Sequence, residues 1–328
     1  MIRITQASLY VAAVTHPGLA GRPNEDRYAV SSYRVSETDP TPSIFAIISD
    51  GIGGHRAGEV AAEMAVETIS HMVAQSNVHH PLATLDHAFQ VTSDAIALKA
   101  KDDTQRLGMG TTCACAWVVG RQLFIASVGD SRIYLLRNGN LMQLTVDHTW
   151  VQEAMEKGIL KPEEARNHPN MHVIRRYLGS SKTPQADTRL RLAKNESDTQ
   201  ARSNQGLGLL PGDLLLLCTD GLTDVVENAE IEPVVRGLDI HSAAQALVDL
   251  ACARQGKDNI SVVLMLVPLE STPARKSKFW FWALLGLAGL VLVVFLITVV
   301  TWVVLNYILP PPSTLAPILV CRLLPSLL

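Results

Sequence analysis

Short apolar runs, bounded by glycine, proline or charged residues, recur along the first 268 positions of the chain. Runs of this length that contain β-branched residues are typical of buried strands. We therefore predict strands at 9–14, 44–49, 112–119, 123–128, 132–136, 213–218 and 260–267.

Apolar positions three and four residues apart lie between several of these strands, and this spacing predicts helices. The predicted helices are 57–74, 82–98, 149–157 and 242–254, with another beginning at Pro162. Ser242 and Gln245 have the spacing of a capping box, so we expect Ser242 to cap the last helix. The polar stretch 194–206 predicts a mobile loop. By itself, this alternation of strands and helices favours the α/β class.

A different pattern fills the C-terminal part, where no charged residue occurs between Phe279 and Leu309. About 20 apolar residues are enough to cross a bilayer, so 279–309 is predicted to be one transmembrane helix. Trp280 and Trp302 lie near its two ends, as interface residues do.

The predicted membrane segment divides the rest of the chain into a domain, a linker and a tail. Residues 1–268 are predicted to form one globular domain, and 269–278 a short linker that carries the basic residues Arg275, Lys276 and Lys278. Because positive charge stays on the cytoplasmic side, the domain is expected in the cytoplasm of a single-pass membrane protein. The tail 310–328 would then be non-cytoplasmic or interfacial.

Carboxylates stand at the ends of five apolar runs. Asp50, Asp130 and Asp220 each follow such a run, Asp258 precedes one, and Glu25 with Asp26 precedes another. A single aspartate of this kind is usually a cap or turn residue. If all these strand ends converge, the like charges repel one another, and a divalent cation removes the conflict.

The chemistry of these candidate ligands narrows the choice of metal. All are oxygen donors, which suit hard cations such as Mg²⁺ or Mn²⁺. No pair of His or Cys residues has the spacing of a zinc site. The net charge of −3 gives no electrostatic reason to expect nucleic acid as a partner.

Eight segments together resemble the metal-dependent Ser/Thr protein phosphatases of the type 2C (PPM) family, in their bacterial form. In chain order they are RPNED (22–26), DGIGGHRAGEVAA (50–62), GMGTT (108–112), VGDSRIYLLRNG (128–139), LTVDHT (144–149), EEARNHPNMHVIRRYLG (163–179), LPGDLLLLCTDGLTDVV (210–226) and KDNISVVLM (257–265). The resemblance covers about residues 5 to 268. Each segment alone is weak, but their order and spacing are specific.

The resemblance implies an α+β fold rather than α/β: a four-layer sandwich of two mostly antiparallel sheets flanked by helices. It also implies two metal ions, and a third, weaker one. Asp50 resembles the carboxylate that bridges two metals, and Gly51 the carbonyl ligand. The remaining implied ligands are Asp220 and Asp258 on the first metal, Glu25 and Asp26 on the side of the second, and Asp130 on the third.

The implied reaction is in-line attack of a metal-bridged hydroxide on phosphorus, without a phospho-enzyme. Arg22 is the expected phosphate clamp, although the family usually carries this Arg one position earlier, where Gly21 stands here. Ile52 replaces the His of many eukaryotic members, so metal-bound water is the expected proton donor to the leaving oxygen. The segment 150–178 corresponds to the family's flap beside the site.

The expected function is therefore a membrane-anchored phosphatase that faces the cytoplasm and hydrolyses phosphoserine and phosphothreonine in proteins. Its expected partners are substrates of Ser/Thr kinases, and the bilayer through 279–309. The main alternative is a pseudophosphatase that binds phosphoproteins with little or no turnover. A membrane scaffold with a passive soluble domain is a further alternative, but it does not explain the carboxylates at the strand ends.

Among side chains near these motifs, Arg132 is expected to brace the loop of Asp130. His55 and His148 are interpreted as loop or turn residues, with a role in the site as the alternative.

Overall fold

The structure is a computed structural model that describes residues 1–5, 7–53, 57–165, 168–269 and 293–305. The chain divides into two compact units, Met1–Leu269 and Glu270–Leu328. In the second unit residues 293–303 are helical. The predicted membrane segment 279–309 lies outside the described residues except for 293–305. Within the described ranges, no helix is both long and apolar enough to span a membrane.

The first unit is built largely from antiparallel strands. Its thirteen described strands are β1 Ile2–Arg3, β2 Tyr10–His16, β3 Arg27–Arg34, β4 Pro42–Ser49, β5 Gly51–Ile52, β6 Gly110–Thr111, β7 Cys113–Val119, β8 Gln122–Val128, β9 Arg132–Arg137, β10 Asn140–Gln143, β11 Leu207–Gly208, β12 Leu214–Cys218 and β13 Ile260–Leu266.

These strands form two large sheets and one small pair. One sheet has the order β1-β3-β4-β7-β8-β11, and the other has the order β10-β9-β12-β13-β2. The short strands β5 and β6 pair with each other, and every pairing in the three sheets is antiparallel. The α/β class favoured by periodicity alone is therefore wrong, and the antiparallel α+β arrangement implied by the resemblance is confirmed.

The longest helices of this unit cover the outer faces of the two sheets, and eight helices of the unit are described in all. They are α1 Ala57–Gln75, α2 Pro81–Lys101, α3 Trp150–Glu156, α4 Pro162–Ala165, α5 Asp198–Ser203, α6 Asp220–Thr223, α7 Asn228–Gly237 and α8 Ile240–Ala253, with a 3-10 turn at Thr104–Arg106. Helices α1 and α2 pack together on the first sheet, and α8 packs on β2 and β13 of the second.

Strand alternation sends side chains to two different cores. In β4, Phe45 and Ile47 pack in the cluster beneath α1 and α2, whereas Ile44 and Ile48 pack in the cluster between the two sheets. In β12, Leu215 and its alternate neighbours join that same central cluster, while the intervening leucines pack beneath α8. The result is four layers, helix, sheet, sheet and helix.

Two local expectations are wrong. The polar stretch 194–206 contains α5, which begins with a capping box between Ser197 and Gln200. Helix α8 is capped by Asp239, whose side chain accepts from the backbone N–H groups of His241 and Ser242, so Ser242 lies inside the helix. In both cases a side chain satisfies the free N–H groups of the first helical turn.

Candidate metal centre and active site

The carboxylates predicted from the strand ends lie at one end of the strands in each large sheet. In the first sheet Arg27 pairs with Ser49, so Asp26 and Asp50 flank the same end of β3 and β4. Strand β7 pairs with both β4 and β8, so the end of β8 lies level with the end of β4. Asp130 follows that end of β8. In the second sheet Cys218 pairs with Val262, which places Asp220 and Asp258 at one end of β12 and β13.

Asp50 and Asp220 connect the two sheets at this end of the strands, because their carboxyl groups lie within hydrogen-bonding reach of each other. Burial raises the pKa of Asp50 well above its usual range, and the charges of Asp220, Asp26 and Asp130 raise it further. The pKa of Asp220 is also raised well above its usual range, first by burial and then by Asp130 and Asp224. Several carboxylates therefore share one poorly solvated space.

The neighbouring carboxylates show the same effect. Burial raises the pKa of Asp26 to about 7, against the hydrogen bonds that it accepts from Ser261 (2.7 Å) and Thr219 (2.9 Å). Burial and then the charge of Asp147 raise the pKa of Asp130 to about 7. Without a compensating cation, these groups would hold protons near neutral pH.

Unpartnered oxygen atoms indicate what the cluster fits. The Oδ1 atoms of Asp26, Asp130 and Asp220 are buried and have no hydrogen-bond partner among the described residues. Buried carboxylate oxygens without a partner are unusual in folded proteins. A hard divalent cation supplies the missing partner and removes the mutual repulsion, so this oxygen-only donor set fits Mn²⁺ or Mg²⁺.

Close backbone packing explains the glycine after Asp50. A Cβ atom on Gly51 would lie 2.3 Å from the carbonyl of Gly58 in α1 and 2.9 Å from the carbonyl oxygen of Glu25. A Cβ on Gly58 would in turn lie 2.9 Å from Oε2 of Glu25. The absence of side chains lets the start of α1 approach the carboxylates at the strand ends.

Two threonines of the GMGTT segment fix the backbone of Asp50. Thr111 Oγ1 donates to the carbonyl of Asp50 (2.7 Å), and the backbone N–H of Thr112 donates to the same oxygen (2.9 Å). Thr112 Oγ1 accepts from the N–H of Asp50 (3.0 Å) and lies 2.7 Å from Oγ of Ser131. Thr112 therefore joins the loops of Asp50 and Asp130.

A cleft of about 580 Å³ opens on this cluster. Among the residues predicted for the site, its lining contains Arg22, Glu25, Asp50, Gly51, Asp220 and Asp258. Asp26 is only 3% exposed and lies outside this lining. Arg22 and Asp258 are exposed, and Arg22 has no hydrogen bond or ion pair within the described ranges.

A second cleft adjoins the first and shares Asp220 with it. Its lining contains Asp130, Arg132 and Asp224 together with residues of α3 and α4. These helices belong to the segment 150–178 that was predicted to be a flap. Met171 and His172 of this segment line both clefts. Residues 166 and 167 of the flap lie outside the described residues.

Sequence reasoning missed two residues of this region, Asp224 and His172. Nδ1 of His172 lies 3.2 Å from Oδ2 of Asp224, and both residues offer ligand atoms within 4.8 Å of one from Asp220. Burial raises the pKa of Asp224, and His172 opposes the rise. The four-residue spacing from Asp220 to Asp224, one turn of helix, was the available signal. His172 had none, because its flap is brought to the site by tertiary contacts.

The remaining side chains singled out from the sequence have different outcomes. Arg132, which was expected to brace the loop of Asp130, forms a two-pronged ion pair with Asp147, with its shortest contact at 2.7 Å. His148 is buried, at 3% exposure, between β10 and α3. His55 lies outside the described residues.

Comparison with known proteins agrees with this geometry. The family model described as Protein phosphatase 2C matches residues 19–251, which contain all but one of the predicted site residues.

The chain belongs to the protein phosphatase 2C family. Asp258, the remaining site residue, lies seven positions beyond the end of the match.

Three relatives within this family illustrate the extent of the similarity. The serine/threonine protein phosphatase PstP of Mycobacterium tuberculosis is 33% identical over 265 residues, which are 80% of this chain. That match spans only 46% of PstP, so the chain covers about half of that relative's length. The serine/threonine phosphatase stp of Listeria innocua is 37% identical over 224 residues, 67% of this chain and 82% of stp. The crystal structure of the PstP catalytic domain in complex with 2 manganese ions has a TM-score of 0.64 at 31% identity, and covers 78% of this chain and 97% of that one.

Proposed function

We propose that this protein is a metal-dependent phosphatase that hydrolyses phosphoserine and phosphothreonine in other proteins. The observation that carries the proposal is the meeting of Asp50 and Asp220, from separate sheets, beside unpartnered carboxylate oxygens in a solvent-open cleft. The names of the relatives, PstP and stp, support the same class of substrate. Phosphorylated products of Ser/Thr kinases are the expected partners.

Seven residues are proposed to hold the metal ions. Asp50, Gly51, Asp220 and Asp258 would hold one Mn²⁺ or Mg²⁺ ion, with Asp50 shared with a second ion on the side of Glu25 and Asp26. Asp130 would contribute to a third. Such ions supply an activated water nucleophile and polarise the phosphoryl oxygens. The manganese in the PstP structure supports this assignment of metal.

Arg22 is proposed to bind the phosphoryl group. It lines the same cleft as Asp50 and Asp220, is exposed, and has no partner within the described ranges. A guanidinium group binds phosphate through two parallel hydrogen bonds, which orients the phosphorus for in-line attack. Lining residues from the flap, Met171 and His172, would contact the polypeptide around the phosphorylated side chain.

We also propose that the chain is anchored in a membrane through 279–309, with the phosphatase domain in the cytoplasm. Support comes from the sequence: this segment has no charged residue, and Arg275, Lys276 and Lys278 lie just before it. Fractionation of cells that express the full chain tests this. Carbonate-resistant recovery with membranes is expected, and recovery in the soluble fraction would refute the anchor.

The test of the catalytic proposal is hydrolysis of a phosphothreonine peptide by the purified full chain, with Mn²⁺, with Mg²⁺ and with chelator. Turnover should require metal, and Asp220→Asn should reduce it by more than about 100-fold, since even changes outside the ligand sphere cost about 10- to 100-fold. Asp249→Asn is the matched control, because Asp249 is exposed on α8 and hydrogen-bonds only Gln245 among the described residues. Tight phosphopeptide binding without turnover would favour the pseudophosphatase.

A further inference from the structure

His148 is a buried histidine beside the carboxylate cluster for which the proposed reaction has no role. It follows β10 and precedes Thr149, the residue that caps α3. Both of its ring nitrogens have partners, and so do its backbone N–H and carbonyl groups. These four hydrogen bonds join His148 to three different segments of the chain, and the bonds to each segment together form one contact.

The first contact is a double hydrogen bond to Gly129. The backbone N–H of His148 donates to the carbonyl of Gly129 (2.9 Å), and Nδ1 of His148 accepts from the N–H of Gly129 (3.0 Å). Gly129 has a φ of +105°, and a Cβ there would lie 2.6 Å from the side chain of Thr112. One residue therefore satisfies both polar groups of a glycine held in an unusual conformation, directly before Asp130.

The second contact fixes the other side of the imidazole ring. Nε2 of His148 lies 3.0 Å from Oδ2 of Asp187, and Arg189 binds the same carboxylate at 2.6 Å. Asp187 also exchanges two backbone hydrogen bonds with Ser127 of β8. Since Nδ1 accepts from Gly129 and Nε2 faces a carboxylate, the neutral ring with its proton on Nε2 satisfies all these partners.

The third contact reaches the flap. The carbonyl of His148 accepts from the N–H of Arg175 (2.7 Å), and the adjacent Thr149 forms a β-bridge with Ile174. Ile174 lines the cleft that contains Asp50 and Asp220. A displacement of His148 would therefore shift both the loop of Asp130 and the flap.

We propose that His148 is a positioning residue that holds the Asp130 loop in the conformation that binds its cation, and couples this loop to the flap. The inference rests on the proposed function, because it assigns Asp130 to a metal ion. The essential element is the acceptor at Nδ1. If it is lost, the N–H of Gly129 is left buried without a partner, and the loop can recover a partner only by moving.

The two ring nitrogens can be tested separately. In His148→Asn, Oδ1 takes the place of Nδ1 and can still accept from Gly129, but the contact to Asp187 is lost. In His148→Gln, the amide nitrogen can still reach Asp187, but the acceptor for Gly129 is lost. The comparison therefore separates positioning of the loop from general support of the fold.

The experiment is calorimetric titration of Mn²⁺ into the metal-free full chain, together with Mn²⁺-dependent activity and the thermal unfolding midpoint of each variant. We expect His148→Gln to weaken Mn²⁺ binding by about 10- to 100-fold, as changes to residues that orient metal ligands do. His148→Asn should retain most of the affinity even if its midpoint falls. In an Asp130→Asn background, His148→Gln should have little further effect.

Equal loss of Mn²⁺ affinity in both variants, or a loss in step with the unfolding midpoint, would overturn the proposal. An additive effect of His148→Gln and Asp130→Asn would overturn it too, because His148 would then act independently of Asp130. Failure of the proposed function is a separate result, since it would appear as absence of turnover in the unsubstituted chain while Mn²⁺ binding is still measured.

Discussion

The carboxyl groups of Asp50 and Asp220 lie within hydrogen-bonding reach, although each follows a strand of a different sheet. This contact between two acids brings the carboxylates at the strand ends of one sheet against those of the other. In the absence of metal, such a pair avoids repulsion only by keeping a proton. The site is therefore built so that cation binding and proton release are linked, and this linkage can be measured.

The first prediction concerns stability without metal. Because the pKa values of Asp26 and Asp130 are raised to about 7, the folded chain holds more protons than the unfolded chain between about pH 4 and pH 7. The free energy of unfolding should therefore fall as pH rises through this window. The hydrogen bonds from His148 and Arg189 lower the pKa of Asp187 against the effect of burial. Asp187 therefore makes the free energy of unfolding fall as pH falls, but only below this window.

Thermal unfolding of the metal-free full chain at about pH 5 and about pH 8 checks this, since the midpoint should be lower at the higher pH. Mn²⁺ should raise the midpoint, and more so at the higher pH, because it binds the ionised carboxylates of the folded state. Asp26→Asn should reduce the pH dependence, whereas the exposed control Asp249→Asn should leave it unchanged. A midpoint that rises with pH in the metal-free chain would contradict the prediction.

The second prediction concerns Thr112, which accepts from the N–H of Asp50 and contacts Ser131. Thr112→Val leaves the N–H of Asp50 without its acceptor and should lower the free energy of unfolding by about 1–3 kcal/mol. It should also lower kcat, since Asp50 is no longer held. Denaturant titration and peptide kinetics measure the two effects.

A matched control exists in α2. The hydroxyl of Thr92 is buried and has no hydrogen-bond partner among the described residues. Thr92→Val removes this unsatisfied group and should leave stability unchanged or raise it. If both substitutions destabilise the protein equally, the hydrogen bonds of Thr112 have no special importance.

The third prediction concerns Arg22. Because it is exposed and has no partner in the described part of the chain, Arg22→Ala should leave the unfolding midpoint unchanged. Loss of a charge-assisted hydrogen bond to phosphate, worth about 1.5–3 kcal/mol, should lower kcat/KM roughly 10- to 100-fold. Arg202→Ala, at an exposed position of α5, is the control and should have normal kinetics. Normal kinetics in Arg22→Ala would move the phosphate clamp to another residue.

The fourth prediction concerns the close approach at Gly51. The Cβ of Gly51→Ala would lie 2.3 Å from backbone atoms of Gly58, which cannot rotate away. We expect a loss of about 1–3 kcal/mol in unfolding free energy, as in other overpacked sites, and weaker activation by Mn²⁺. Gly208→Ala is the control, since nothing lies within 4 Å of its added Cβ. Full stability and Mn²⁺ response in Gly51→Ala would show that the backbone there moves freely.

Local pattern predicted most of the long strands and the helices α1 and α2 because their apolar residues repeat at strand or helix spacing, but the predicted strands did not include β3, Arg27–Arg34. Strand β4, for example, differs from its predicted range by two residues at one end. The two-residue strands β5 and β6 carry no such repeat, and they exist because Gly51 and Thr111 are brought together by the rest of the fold. The class of the sheet was also beyond local pattern, since β2 and β13 pair across almost the whole domain.

The same distinction between local pattern and tertiary contacts applies to the candidate site. Asp50, Asp130 and Asp220 could be found from sequence because each follows directly on an apolar run. The contacts of His148 could not, because Gly129, Asp187 and Arg175 are scattered along the chain and meet only in three dimensions. Residues that position a site in this way are recognised by their hydrogen bonds rather than by their spacing.

The direction of β13 has a consequence for access to the cleft. This strand begins beside Asp258, and its last residue, Leu266, pairs with Tyr10 at the opposite end of the sheet. Seven residues of extended chain span about 20 Å, so Leu266 lies at the end of the sheet that is far from the carboxylates. The described residues that follow β13, 267–269, are not part of the lining of the cleft that contains Asp50 and Asp220, so they leave its mouth clear.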